Sequence, residues 1–397
     1  MKTPFKKNSL KKTRENTTRK AKIQKNKKTT DYEPVSHTVT KIRVQKHHQT
    51  RSKKNNAPTQ DSQCTIQKNK KAEGGVYNNN DPRSFPLMQQ VFQPRLSGTR
   101  PSEHVPFIME TGYSDDYALI DSGNGLKLER YGSLKIIRPE GQALWQPALN
   151  AQDWNDVDAI FTGNTDEEGM GRWHFPKQAL GETWPLSWQG LHYLGRFTSF
   201  RHVGVFPEQD AHWRYIEKVI AKANRPINVL NLFGYTGLAT LIAARAGAHV
   251  THVDASKKAI LWAKENQETA NLSDYPIRWI CDDAMKFVER EGRRGKNYDL
   301  ILLDPPAYGR GPHGEVWQLF DHLPNMVTHC RMLLSANSIG VILTAYSIRS
   351  SFYAIHELMR DAFTGLGGCV ESGELIIREE TAKRALSTSL FSRWILS

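Results

Sequence analysis

The 397-residue sequence predicts an α/β fold on a mostly parallel sheet, with a small β-rich domain and a disordered basic tail before it. Three observations carry this prediction. From about residue 210, apolar strands alternate with amphipathic helices, which sets strands side by side in parallel with helices on both faces. The last two apolar runs, "GELIIREE" and "SLFSRWIL", have no full helix between them and close the sheet as an antiparallel hairpin. Between residues 105 and 200 the period is two, in short runs separated by glycine turns.

The chain opens with its most polar part. Residues 1–71 hold 21 Lys or Arg against four acids (Glu15, Asp31, Glu33 and Asp61), a net of +17, while the whole chain is +13, leaving −4 for the remainder. A stretch rich in Lys, Thr, Asn and Gln and nearly free of aromatics buries too little apolar surface to fold. Residues 1–72 are therefore expected to be a disordered basic tail, and a polybasic arm of this kind serves polyanions, RNA foremost. The alternative is a solubilising tail without a specific partner. Residues 73–104, rich in Gly, Asn, Pro and Ser, are expected to be a linker.

The runs "YALIDSG", "LKLERYG" and "SLKIIRPEGQALW" suggest short antiparallel strands of a small β-rich domain over 105–200. Trp145, Trp154, Trp173, Trp184 and Trp188 crowd it, in number more suited to a core than to base stacking. The third part, 201–397, begins with the amphipathic helix "AHWRYIEKVIAKAN". Seven strands follow: "INVLNLF", "AHVTHVD", "IRWICD", "YDLILLD", "IGVILTAY" and the closing pair. Helices are expected near 238–246, 256–271, 283–291 and 317–334. No apolar run is long enough to span a bilayer, and the N-terminus has no apolar core of the signal-peptide kind. The four cysteines, Cys64, Cys281, Cys330 and Cys369, have no CxxC spacing and make no zinc or disulfide pattern. A reducing, cytoplasmic setting is expected, and no metal.

In such sheets ligands bind outside the carboxyl ends of the strands, at the topological switch point. The first strand ends in "NLFGYTG", where Gly234 and Gly237 permit a tight turn and a close approach to a ligand. The second ends in Asp254, 23 residues after Asn231 and placed to accept from two ribose hydroxyls. The third ends in "CDDA", where Asp283 is placed to accept from an adenine amino group, and the fourth in Asp304. A dinucleotide and S-adenosylmethionine both match a glycine turn with an acid further on. The dinucleotide fingerprint G-x-G-x-x-G is incomplete, because Leu232 stands where its first glycine belongs. Three acid-bearing strand ends suit the positive sulfonium and amino groups of S-adenosylmethionine. After Asp304, Pro305 and Pro306 hold the backbone extended as it leaves the strand.

The stretches "LNLFGYTG", "VDASKKAILWAKEN" and "DPPAYG" resemble the S-adenosylmethionine-dependent methyltransferases that modify large-subunit ribosomal RNA. These are the 5-methylcytosine type and its relatives acting on guanine nitrogens. The resemblance covers roughly 195–397 and implies a class I methyltransferase, Rossmann-like, with a seven-stranded sheet. It further implies that Phe233, Gly234, Tyr235, Thr236 and Gly237 wrap the methionine part of the cofactor. Asp254, with the Ser256 backbone, would hold the ribose, and Asp283 would lie by the adenine. Asp304 would lie beside the methyl group, where cofactor and acceptor meet. The segment "FRHVGVFPEQ" (200–209) takes the place of a family segment that also reaches the cofactor. Tyr308 is expected to stack on a flipped-out base or wall its pocket; the alternative is a ring packed under the loop.

The 5-methylcytosine enzymes keep a nucleophilic cysteine after the fifth strand, in a T-F-S-C stretch. Here that stretch is "TAYS", with Ser347 at the cysteine's position, and Cys281 and Cys330 read as core residues. The expectation is therefore methylation of an RNA base at a nitrogen, guanine first, with large-subunit ribosomal RNA as partner. Two alternatives stay open: a methyltransferase for protein or small molecules, and an inactive RNA-binding or assembly protein on the same fold.

Overall fold

The computed structural model describes residues 96–163, 170–346, 348 and 350–396. The expected tail, most of the expected linker and Ser347 lie outside the described residues.

The described chain starts on β1 (Ser102–Glu110), a strand inside a stretch whose first residues compositionally read as linker. Two small sheets follow. β2 (Tyr117–Gly123), β3 (Leu126–Tyr131), β4 (Leu134–Pro139), β5 (Ala159–Gly163) and β6 (Gly171–His174) form one, in that order. β7 (Thr183–Trp188) and β8 (Leu191–Arg196) form a hairpin. The five-stranded sheet is not wholly antiparallel. β4 and β5 pair in parallel, because the short helix α1 (Ala151–Asn155), capped by Asn150, carries the chain back between them. Four of the five tryptophans line a core of this region with Leu119, Ile136, Leu186 and Leu191, and Trp154 packs on its other apolar cluster.

The second part alternates as expected. After α2 (Asp210–Lys222) come β9 (Asn228–Leu232), α3 (Leu238–Arg245), β10 (His249–Asp254), α4 (Lys257–Thr269), β11 (Ile277–Cys281) and α5 (Ala284–Arg293). β12 (Leu300–Leu303) leads into a small hairpin, β13 (Tyr308–Arg310) and β14 (Val316–Gln318), then α6 (Leu319–Met332) and β15 (Gly340–Tyr346). α7 (Phe352–Ala362) precedes the closing strands β16 (Cys369–Arg378) and β17 (Ala385–Ile395).

The main sheet has the order β1-β16-β17-β15-β12-β9-β10-β11. β11, β10, β9, β12 and β15 are parallel, and β17 is antiparallel to both its neighbours, as the missing helix between the last two strands predicts. The sheet has eight strands where seven are expected, because β1 adds to the edge of β16 in parallel. β9, β12 and β15 are buried almost throughout on both faces, since helices cover both sides. Leu232 of β9 is level with Val253 of β10 and Leu303 of β12, so these carboxyl ends reach the same edge together. The chain leaves β9 for one neighbour, β10, and returns on the other side as β12. That is the switch point.

Candidate active site

The loop after β9 is bent in an unusual way. Phe233 (φ 57°) and Tyr235 (φ 50°) both sit in the left-handed region, which bulky residues seldom occupy. Between them Gly234 approaches the β10 residue His252 so closely that a Cβ would lie 2.4 Å from its ring. Only glycine fits there. Below the turn a buried chain of polar groups holds the strand ends: Asn231 Nδ2 donates to Thr240 Oγ1 at 2.9 Å, and Thr240 Oγ1 meets His252 Nδ1 at 2.9 Å. Burial pushes His252 down to about 3, so it stays neutral. The turn thereby aims the Tyr235 N–H at Asp254.

Asp254 ends β10 half-buried. One carboxylate oxygen accepts from Tyr235 N at 2.9 Å and the other from Ser256 N at 2.8 Å. A carboxylate has about four lone-pair positions; two are used by the backbone, and the others suit a pair of vicinal hydroxyls. Burial raises its pKa above the ordinary carboxylate value, and the two backbone bonds oppose that shift. Asp283, at the end of β11, caps α5 by accepting from Lys286 N at 2.9 Å.

Asp304 follows β12, half-buried, and accepts from Gln209 Nε2 at 3.1 Å. Gln209 is oriented by Thr344 of β15, whose hydroxyl donates to its side-chain oxygen at 3.4 Å. Burial first, then the charge of Glu208, push the Asp304 carboxyl up to about 7, while the Gln209 bond pulls it down. Beyond Asp304 the prolines lead into the β13–β14 hairpin. Trp317 pins that hairpin: its indole N–H donates to Pro306 O at 2.8 Å and its ring packs on Phe233, with centroids 4.9 Å apart. Tyr308 is exposed on the same hairpin, with the Arg310 guanidinium 6.0 Å from its ring centroid. It is not a ring packed in a core.

These groups share one cavity of about 390 Å³, a size that suits a nucleoside-sized ligand. Phe233, Tyr235, Asp254, Ser256, Asp283, Asp304 and Tyr308 all line it. Gly234 and Thr236 line instead a smaller space of about 70 Å³, which shares Phe206, Gln209 and Asp304 with the larger one. Thr236 is turned inward, its hydroxyl donating to Gly204 O at 2.6 Å. Gly237 lines neither and is packed by Ala263 and Trp279.

The segment 200–209 supplies what residue-by-residue reading of the sequence missed: Phe200, His202, Phe206, Glu208 and Gln209 also line the cavity, with Tyr346 of β15. Only the position of "FRHVGVFPEQ" ahead of the first helix signalled this. Among the described residues no cysteine lines the cavity. Cys330 is buried in the core, its thiol pushed up to about 12 by burial. Cys281 is not the core residue expected: it ends β11 exposed, its Sγ 3.7 Å from Ala255 O.

Comparison with known proteins fits this geometry. A family model described as "Conserved hypothetical protein 95" matches residues 211–329. The crystal structure of an S-adenosylmethionine-dependent methyltransferase from Agrobacterium tumefaciens is 62% identical, with a TM-score of 0.74, covering 76% of this chain and 97% of that one. The ribosomal RNA large subunit methyltransferase K/L of Syntrophotalea carbinolica is 33% identical over 129 residues, 32% of this chain. The protein of that name from Shewanella oneidensis is 32% identical over 127 residues, also 32% of this chain. The match spans only 17% of the length of either of these two relatives.

Proposed function

Because the chain belongs to the S-adenosylmethionine-dependent methyltransferases, together with the Agrobacterium tumefaciens protein, 97% of whose length it matches, we propose that it methylates a nitrogen of an RNA base, with ribosomal RNA as the substrate. The observation that carries this reading is the arrangement of Asp254, Asp304 and Tyr308 around one cavity. Asp254, with its two remaining lone-pair positions, holds the ribose, and Asp283 borders the adenine. Phe233 to Gly237 form the turn around the methionine part: Phe233 and Tyr235 by their side chains, Gly234 by its close backbone, Thr236 and Gly237 by fixing the turn from behind. S-adenosylmethionine, when bound, supplies an electrophilic methyl group.

The chain's own residues do the rest. Asp304 accepts a hydrogen bond from the amino or ring N–H of the acceptor base and draws its lone pair into line. Positioning of this kind supplies much of the acceleration of a displacement reaction. Tyr308, exposed on a pinned hairpin, stacks on the base once it has left its helix. Ribosomal RNA is favoured by the names of the curated relatives, each of which this chain matches over a fraction of their length. Nitrogen is favoured over carbon 5 of cytosine by Ser347, a serine without the thiol that carbon chemistry needs, and by the absence of cysteines from the cavity among the described residues.

The test is chemical. Nucleosides from ribosomal RNA of cells with and without the protein should differ by one nitrogen-methylated base. RNA containing 5-fluorocytosine should form no covalent complex with the protein, and Ser347→Ala should keep most of the turnover while Asp304→Ala loses it. A trapped complex, or 5-methylcytosine as product, would refute the nitrogen assignment.

A further inference from the structure

We propose that Glu208 is a second catalytic carboxylate, which with Asp304 forms the pair that takes up the proton lost by the acceptor nitrogen; this rests on the nitrogen-methylation reading above. Glu208 is only 4% exposed, yet it lines the same cavity as Asp304. It precedes Gln209, whose amide bonds Asp304 at 3.1 Å, so one dipeptide brings both groups to the reacting centre.

Among the described residues, no ion pair accounts for Glu208. The cations that bear on it come from the small sheet and serve other acids. Lys127 Nζ lies 3.4 Å from Glu140 and 3.8 Å from Glu129. Arg138 clasps Glu129 through Nε at 2.7 Å and Nη2 at 2.9 Å, while its Nη1 donates to Arg201 O at 3.1 Å. Tyr131 and Tyr117 also donate to Glu129. From its own segment comes His202, held well below its usual value by burial and by Arg138, Arg201 and Lys127, hence neutral. Tyr346 of β15, raised by burial, stays protonated. Burial raises Glu208 too, against the pull of Lys127 and Arg138.

Two carboxyls lining one cavity disfavour each other's ionisation, so a carboxylate of the pair is a ready proton acceptor. A methylated nitrogen needs that acceptor. Its lone pair forms the bond to the methyl carbon, the carbon–sulfur pair stays on sulfur, and the N–H proton passes to the free carboxylate. The sulfonium's charge and the carboxylate's charge disappear together, leaving a thioether and a carboxylic acid.

Glu208→Gln in the full chain tests this. In ligand-free protein with carbon-13-labelled aspartate, the Asp304 titration should move to lower pH, since a neighbouring charge is gone. Turnover should fall about 10²–10⁴-fold, the usual share of general acid–base catalysis, with the KM for RNA and the calorimetric affinity for S-adenosylhomocysteine within about twofold. Glu208→Asp, the variant for use if the glutamine form does not fold, should keep Asp304 raised and retain partial turnover. An unshifted Asp304 titration overturns the pair. Turnover near the wild-type level overturns the catalytic role, and lost S-adenosylhomocysteine affinity makes Glu208 a cofactor contact instead. Wild-type protein that modifies no RNA base defeats the parent reading itself, a result none of the variant outcomes imitates.

Discussion

Asp254 has both oxygens engaged by backbone N–H groups before any ligand arrives, so its orientation is set in advance. Asp254→Ala should weaken S-adenosylmethionine binding by about 1.5–3 kcal/mol, the worth of hydrogen bonds to a charged acceptor, as read by calorimetry on the folded variant. Asp304 makes a prediction of opposite sign for rate and for stability. Turnover that uses its carboxylate should rise as pH climbs through about 7 and be lost below. Its value is raised above the ordinary 3.8, so the native state keeps a proton that the unfolded chain releases. The stability this contributes is full below 3.8 and is lost as pH rises through about 7. In Asp304→Asn the urea midpoint should therefore decline less than the wild type's between about pH 5 and pH 8. Asp254 and Asp304 were legible as candidates because each ends an apolar strand. Glu208 and Gln209 were not: they sit in one 3₁₀ turn, Pro207–Gln209, too short to show a period, and only the fold carries them across to Asp304.

At the scale of elements, Trp317 is the buried anchor of the hairpin β13–β14. Trp317 is buried, bonds Pro306 O and packs against Phe233, so it joins the loop after β12 to the loop after β9. Trp317→Ala should cost about 3–5 kcal/mol of stability, as large-to-small changes in cores do, measured by urea unfolding. It should also lower turnover more than Tyr308→Ala does, because it releases the whole wall and not one ring. The strands and helices with clear period, from β9 to β15 and the closing hairpin, were readable from hydrophobic spacing. β13 and β14 were not, because three residues carry no period. α7 was passed over although Phe352, Ile355 and Met359 carry a helical period; its buried face also includes His356, bonded to Ser372 at 2.9 Å. The parallel pairing of β4 with β5 was likewise invisible, since it depends on the path of a five-residue helix.

For the whole molecule, charge is divided between a basic stretch, residues 1–71, and a remainder of net −4. Deleting residues 1–71 should leave cofactor affinity unchanged but weaken RNA binding and flatten its dependence on salt, because counterion release scales with the number of phosphate contacts. Filter-binding at several salt concentrations measures both slopes, and equal slopes would show that this stretch is no RNA arm. How far such a deletion can extend is set by β1. Composition near its start suggested linker, yet its residues pair with β16 from Ser102 opposite Cys369 to Glu110 opposite Ile376. Without it, the ten-residue strand β16 would become the rim of the sheet, a long row of unpaired amide and carbonyl groups able to template another chain. β1 is a poor template itself: it is largely exposed and carries Glu103, Pro106 and Glu110. A protein shortened through residue 110 should therefore self-associate in light scattering, while one shortened through 71 stays dispersed. β1 acts as a sacrificial selvedge, a strand whose value lies in what it keeps from sticking.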